Sequence, residues 1–269
     1  MIRMKNPKVY ECAGELSACI QSSATSPAFD DTVLEFLGAL SKRILANASN
    51  RVYPDLVTFG FFCRRKNILS LQKGMHEFRS GRGLLFHIAP SNVAMNYAYS
   101  LVSGLITGNR NVVKISSTEF PQVDVLNSVI SQLINDEFQQ LKPFISVIRY
   151  NNEKSITDEL SDRCDARIIW GGNETIKRIR ESGLRAHANE VVFYNRHSFL
   201  IIDACTVVAE DIESVVRAFY NDTFLNDQAA CTSPKAIFWL GVSSEVERAR
   251  SLFWNAVEAG VRARHKYDE

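Results

Sequence analysis

The sequence predicts an α/β protein built on a mostly parallel sheet covered by helices. Three observations carry that prediction. From residue 84 onward, short apolar runs alternate with longer segments whose apolar residues recur every three or four positions. The helical segments are long enough to serve as crossovers between parallel strands. Proline, asparagine or glycine stands at several of the handovers, where a tight turn is needed.

Taken in order, residues 1–80 are the least legible. "DDTVLEFLGALSKRIL" places Val33, Leu34, Leu37, Leu40 and Ile44 on one side of an amphipathic helix, and Pro54, "LVTFGFFC" and "RRK" follow. We assign 1–80 to an accessory region. "LLFHI" is a buried strand, Pro90 and Asn92 mark a turn, and "VAMNYAYSLVSGLI" is a helix ended by "TGN". "NVVKISS" is the next strand, and Pro121 opens a helix carrying Val125, Val129 and Leu133. "FISVIRY", a helical "ITDEL", "ARIIW", a glycine turn and the helical "NETIKRIRESG" continue the series, which "EVVFY" and "SFLIID" close. A helix at 211–220, a polar turn, the strand "KAIFWL" and a final helix complete the chain. Ser244 and Glu247 fit a capping box for that last helix, with Val246, Ala249, Leu252 and Val257 on its apolar side. The expected division is 1–80, an α/β domain over 81–205, and the beginning of a second domain over 206–269.

Bulk properties narrow the partners. With 46% hydrophobic and 23% charged residues the composition is that of a folded globular chain. A net charge of +1 offers no electrostatic reason for a nucleic acid or an anionic membrane as the main partner. The most apolar long run, 93–108, contains Asn96, Ser100, Ser103 and Thr107, so no membrane span is expected. Six cysteines without a CxxC pair, and no apolar signal core at the start, give cytoplasm as the expected location. The five histidines show no HExxH or clustered spacing, so no metal site is expected; His87, ending an apolar strand, is expected to be structural.

Three side chains stand out chemically. Cys231 lies in "NDQAACTSP", among Asp227, Gln228, Thr232, Ser233 and Pro234, which is loop composition. Buried filler and nucleophile both remain open for it on that ground alone. Asn92 is either a helix cap or a donor to a developing oxyanion. Lys114 interrupts an apolar strand, where an ammonium is costly unless it reaches solvent or a ligand.

The segment "HIAPSNVAMNYAYSLVSGLITGNRNVVKIS", with "IIWGGNETIKRIR" and "FLNDQAACTSPKAIFW" in that order, resembles the acyl-CoA reductases that make long-chain aldehyde for bacterial luciferase, within the aldehyde dehydrogenase superfamily. The resemblance spans roughly residues 80–255 and implies an aldehyde dehydrogenase-like fold. It implies reduction of a fatty acyl-CoA, or an acyl-protein thioester, to aldehyde through an acyl group held on Cys231. Asn92 then stabilises the oxyanion, and Lys114, Ser116 and Ser117 meet the adenosine half of the cofactor. Gly171 and Gly172 let the dinucleotide approach the backbone. Serines after the strand, where an acidic residue would exclude a 2′-phosphate, favour NADPH over the alternative, NADH. An acyl-transfer enzyme is a candidate partner, and an oligomer is compatible with the family. The "LELGGK" glutamate of aldehyde-oxidising relatives has no match in "HANEVVFYNRHS"; Glu190 is the nearest carboxylate. The family continues well past the cysteine segment, so a truncated catalytic domain is expected. The alternatives are an aldehyde dehydrogenase working toward acid, and an inactive truncated domain that binds dinucleotide or acyl groups.

Overall fold

The computed structural model describes residues 9–73, 79–209, 211–224 and 228–264. The chain forms two compact units, Met1–Tyr194 and Asn195–Glu269.

The first unit is built on six strands: β1 (Tyr10–Gly14), β2 (Leu84–Ile88), β3 (Arg110–Lys114), β4 (Ile145–Arg149), β5 (Ala166–Trp170) and β6 (Asn189–Phe193). Their order is β1-β4-β3-β2-β5-β6, with β2 to β6 parallel and β1 antiparallel to β4 at the edge. From β2 the chain steps outward to β3 and β4, then crosses back past β2 to β5 and β6. That reversal creates a switch point at the carboxyl end of β2, the place where open parallel sheets receive ligands.

Helices cover both faces. α2 (Asp31–Ala46), α3 (Pro54–Phe62), α5 (Asn96–Ile106) and α6 (Pro121–Asp136) share a core with Val113 and Val147 of the sheet, among others. α1 (Leu16–Gln21), α7 (Lys154–Arg163) and α8 (Asn173–Arg180) share the other core with Phe86, Val112 and Ile148. Val112 and Val113 fall in different cores because successive strand residues point to opposite faces. The amphipathic helix read from 30–45 is α2: its N-cap Asp30 accepts a hydrogen bond from the Thr32 N–H at 2.9 Å, and Val33, Leu34, Leu37, Leu40 and Ile44 are buried. α4 (Arg65–Ser70) follows α3 and buries Ile68 in the same core. α6 opens at Pro121 and buries Leu133 as expected, but Val125 and Val129 only flank the core, which Val123, Leu126 and Ile130 enter instead.

His87, at the centre of the sheet, belongs to a fully bonded polar chain. Its Nε2 lies 3.0 Å from Asn111 Oδ1 and its Nδ1 2.8 Å from Ser100 Oγ. Asn111 Nδ2 donates to the Asn109 and Phe144 carbonyls, which leaves Oδ1 to accept; Nε2 therefore carries the proton. Nδ1 accepts from Ser100, and Ser100 in turn accepts from Trp170 Nε1 at 3.2 Å. Burial pulls the His87 pKa down to about 4, so the ring is neutral near pH 7. The structural role expected for His87 holds.

The second unit contains β7 (Ser198–Asp203), α9 (Ala204–Ala209), α10 (Ile212–Thr223), β8 (Pro234–Leu240) and α11 (Ser243–Arg264). "SFLIID" does not close the six-stranded sheet as expected; it is β7 and pairs in parallel with β8. The reason is reach. Only Tyr194–His197 separate β6 from β7, whereas a parallel crossover needs about a dozen residues or more. Ile202, Val216, Phe219, Ala249, Phe253, Val257 and Val261 form this unit's core. On the other face of the two-stranded sheet Phe199, Ile201, Phe238 and Leu240 are exposed. α11 starts at Ser243, so Ser244 lies inside the helix rather than capping it. Its buried stripe runs through Phe253, and Leu252, one residue or about 100° away, is exposed.

Candidate active site

The first unit's candidates gather at the carboxyl edge of its sheet. Lys114 pairs in register with Ile88, and Ile88 with Ile169, so the ends of β3, β2 and β5 lie level. The loops that follow these strands hold Asn92, Ser116 with Ser117, and Gly171 with Gly172, as the βαβ rhythm required. The shared edge follows from strands running in one direction.

Asn92 is exposed in the 89–95 loop. α5 begins only at Asn96, with Met95 at its N-cap position, so Asn92 is not the cap of that helix. Lys114 is half-buried, with Nζ 5.2 Å from the centre of the Tyr150 ring. Burial lowers its pKa, and the positive charge of Arg178 lowers it further. Sequence reading missed Arg178, since only the fold brings α8 against the end of β3. Ser116 Oγ accepts the Thr118 N–H at 3.0 Å and lies 3.1 Å from Thr118 Oγ1, and Ser117 is exposed. The Ser116 carbonyl accepts from Arg149 Nε at 3.1 Å.

Gly171 has a packing reason to be glycine. A Cβ there would stand 3.1 Å from the Thr175 side chain, which closes the first turn of α8 against the strand end. Gly172 occupies the N-cap position of α8 in extended backbone. The pair thus starts a helix directly beyond β5, beside the switch point, with the Gly171 N–H tied to the Phe193 carbonyl at 3.1 Å.

Cys231 lies in the second unit. It is exposed, in a turn closed by the Ser233 N–H on the Ala230 carbonyl at 3.0 Å. The Ser198 hydroxyl donates to the Cys231 carbonyl at 2.8 Å, tying the turn to the start of β7. Lys235 Nζ donates to the Gln228 carbonyl at 2.8 Å. Asp227 lies outside the described residues. The other five thiols are opposed by their surroundings. Burial raises the pKa of Cys12 and Cys63, and pushes Cys19 and Cys164 up to about 12. The Glu245 carboxylate, 3.3 Å from Cys205 Sγ, raises that thiol.

Glu190 is a structural ion-pair partner. Its carboxylate accepts Arg167 Nη2 at 2.6 Å and Arg180 Nε at 2.6 Å. Burial favours its neutral form, but the hydrogen bonds from the two guanidinium groups outweigh this and hold its pKa below the usual carboxylate range. It sits near the amino end of β6, the edge opposite the candidate residues. Among the described residues, no group of three or more His, Cys, Asp and Glu could hold a metal, and no helix is long and apolar enough to cross a membrane.

The fold is aldehyde dehydrogenase-like. The solved lactaldehyde dehydrogenase from Escherichia coli matches with a TM-score of 0.63 at 15% identity, over 88% of this chain and 52% of that one. Residues 67–253 match the family described as Acyl-CoA reductase (LuxC), and the chain belongs to that family. Long-chain acyl-protein thioester reductase 2 of Photobacterium leiognathi is 27% identical over 168 residues, which is 61% of this chain and 34% of that protein. The long-chain acyl-protein thioester reductase of Aliivibrio fischeri is 25% identical over 164 residues, 60% of this chain and 32% of that protein. The chain thus spans about a third of the length of the curated relatives it matches.

Proposed function

We propose that this chain carries the cofactor-binding and nucleophile-bearing parts of an acyl-thioester reductase, which converts a fatty acyl-CoA or acyl-protein thioester to aldehyde. One observation carries the reading: in a chain of the acyl-CoA reductase family, Cys231 is an exposed thiol at a turn, while the other five are wholly or partly buried or, for Cys205, opposed by a carboxylate.

The Cys231 thiolate attacks the thioester carbonyl carbon. The carrier thiolate departs with the bonding electron pair, and a new thioester links the acyl group to Cys231. The Asn92 carboxamide and the Cys231 backbone N–H are the proposed donors to the oxyanion, where one such donor is worth about 3 kcal/mol. A reduced nicotinamide dinucleotide, when bound, would supply the hydride that takes the acyl carbon to the aldehyde level. The carbon–sulfur bond then breaks and the thiolate of Cys231 is restored.

The first unit's residues fit that cofactor. Lys114 presents a half-buried ammonium held on a ring rather than on a carboxylate, and the Gly171–Gly172 turn opens a helix beyond the switch point. Lys114, Ser116 and Ser117 would hold the adenosine ribose, and Gly171 and Gly172 would admit the pyrophosphate. The residues from 114 to 117 include no carboxylate, which favours NADPH. Reduction is favoured over oxidation to acid because Glu190 is engaged by Arg167 and Arg180 and lies at the wrong edge to activate a water.

The test is intact-mass analysis after incubation with a long-chain acyl-CoA. One acyl group is expected on Cys231, absent in Cys231→Ala and released on addition of NADPH. Asn92→Ala should acylate about a hundredfold more slowly. An acyl group retained in Cys231→Ala and mapped to Cys164 or Cys205 refutes the assignment.

A further inference from the structure

The chain-wide charge of +1 conceals an uneven distribution. Residues 64–73 hold four basic residues and no acidic one, so the remainder of the chain is net acidic. This stretch is α4 with its flanks. Ile68 is buried in the core and Leu69 is partly covered, while 64–67 and 70–73 are all exposed. Exposure on both sides of one buried anchor makes the segment a convex corner of the first unit.

Most of its charge is unanswered. Arg65 reaches Asp31 at 2.8 Å, a contact between two exposed groups that contributes little. Arg64, Lys66 and Lys73 make no ion pair among the described residues. Among these cations stand two apolar side chains, Phe61 in the last turn of α3 and Leu71 just after α4, 44% and 45% exposed. The neighbours of Phe61 on α3 turn inward: Phe59 and Phe62 pack on Tyr99 with ring centres 5.1 and 4.9 Å away. Phe61 turns outward, and the Arg64 guanidinium lies over its ring, 4.3 Å from the centre. Single exposed apolar residues are ordinary on a protein surface. Here two of them interleave with three unpaired cations, and neither the core nor an ion pair accounts for the set. An apolar body with a cation directly above it suits the boundary of lipid and water, ring toward the acyl chains and guanidinium among the phosphates.

We propose that the corner formed by Phe61, Arg64, Lys66, Leu71 and Lys73 docks the protein on an anionic lipid surface. Phe61 and Leu71 enter the boundary between headgroups and acyl chains, and the three cations meet the lipid phosphates. The charge distribution selects this partner and one orientation, because an anionic surface attracts the corner and repels the net acidic remainder. Shape favours it too: a convex corner meets a plane, whereas a peptide ligand needs a groove or a free strand edge. Phe61 to Lys66 precede residue 67, where the family match begins, so the family match does not cover them. The inference goes beyond the proposed reduction and does not depend on it. The two meet in one respect, since a long-chain aldehyde leaves water for lipid.

Co-sedimentation of the full chain with phosphatidylcholine vesicles, with and without phosphatidylglycerol, tests this at low and at raised salt. Binding is expected to the vesicles containing phosphatidylglycerol, weakening as salt rises. Arg64→Ala combined with Lys66→Ala should weaken it roughly twentyfold, because each cation near such a surface contributes about a factor of five. Phe61→Ala should weaken it several-fold through lost insertion. All three side chains are exposed, and unchanged melting temperatures check that the variants fold. No binding at low salt, undiminished binding of the double variant, or equal binding to phosphatidylcholine alone overturns the inference. Binding to soluble polyglutamate as tight as to the vesicles, with Phe61→Ala affecting neither, overturns it in favour of an acidic protein partner. Acylation of Cys231 is measured without vesicles, so failure here and failure of the reductase reading are told apart.

Discussion

Acid should destabilise this fold through His87, a residue buried at the heart of the sheet. In the folded chain the ring is 1% exposed, both nitrogens are bonded, and its pKa falls from 6.5 to about 4, burial being the main cause. Both bonds fit the neutral ring: Nδ1 accepts from Ser100, so a second proton would oppose a donor. As pH drops below 6.5, the unfolded chain takes up a proton that the folded chain refuses. Stability is therefore complete above pH 6.5 and is lost progressively as pH falls toward 4, below which the folded ring is protonated as well. At about 1.36 kcal/mol per pH unit, the loss across that window is roughly 3 kcal/mol. Domains of this kind are stable by about 5–15 kcal/mol, so the effect is measurable. The assay is urea unfolding of the wild-type chain and His87→Gln at intervals from pH 7.5 to 4. Carboxylates contribute equally to both proteins, so the difference isolates His87. The variant is expected to be less stable at pH 7.5 and to lose about 3 kcal/mol less on acidification. Parallel pH profiles, or a His87 ring signal titrating near 6.5 by NMR, would refute the reasoning.

Further outcomes follow from other buried contacts. Gly104 lies in α5, where alanine normally stabilises a helix by about 1 kcal/mol. Here a Cβ would stand 1.7 Å from Asn111 Oδ1, so Gly104→Ala should destabilise by about 1–3 kcal/mol, read as a lowered unfolding midpoint. Arg167, 2% exposed in its side chain, binds Glu190, Ser161 and the Ile179 and Ser182 carbonyls. Arg167→Ala should cost about 3–5 kcal/mol in chemical denaturation; a loss below about 1 kcal/mol would contradict its role as a buried anchor.

Periodicity and turn chemistry alone determined the parallel sheet from 84 to 193, because each strand and crossover helix is a local pattern of burial. They also placed Asn92 and Gly171 in loops at one edge, with Lys114 near that edge, since parallel strands leave every strand-to-helix loop on the same side. The family was legible in three ordered segments, and the match over residues 67–253 bears it out. The edge strand β1 was not legible, because its five residues gain their structure from pairing with β4, more than a hundred residues away. The placement of β7 was misread because its composition suits any sheet, and only the short link from β6 decides which sheet it can join. Glu190 was only the carboxylate nearest the missing glutamate motif; that Arg167 and Arg180 converge on it is decided by packing. Arg178 was one basic residue among three on a helix; its meeting with Lys114 depends on how α8 packs on β3. Local sequence encodes which backbone a segment adopts. Which charges face one another is a property of packing between segments, and that is decided only when the chain has folded.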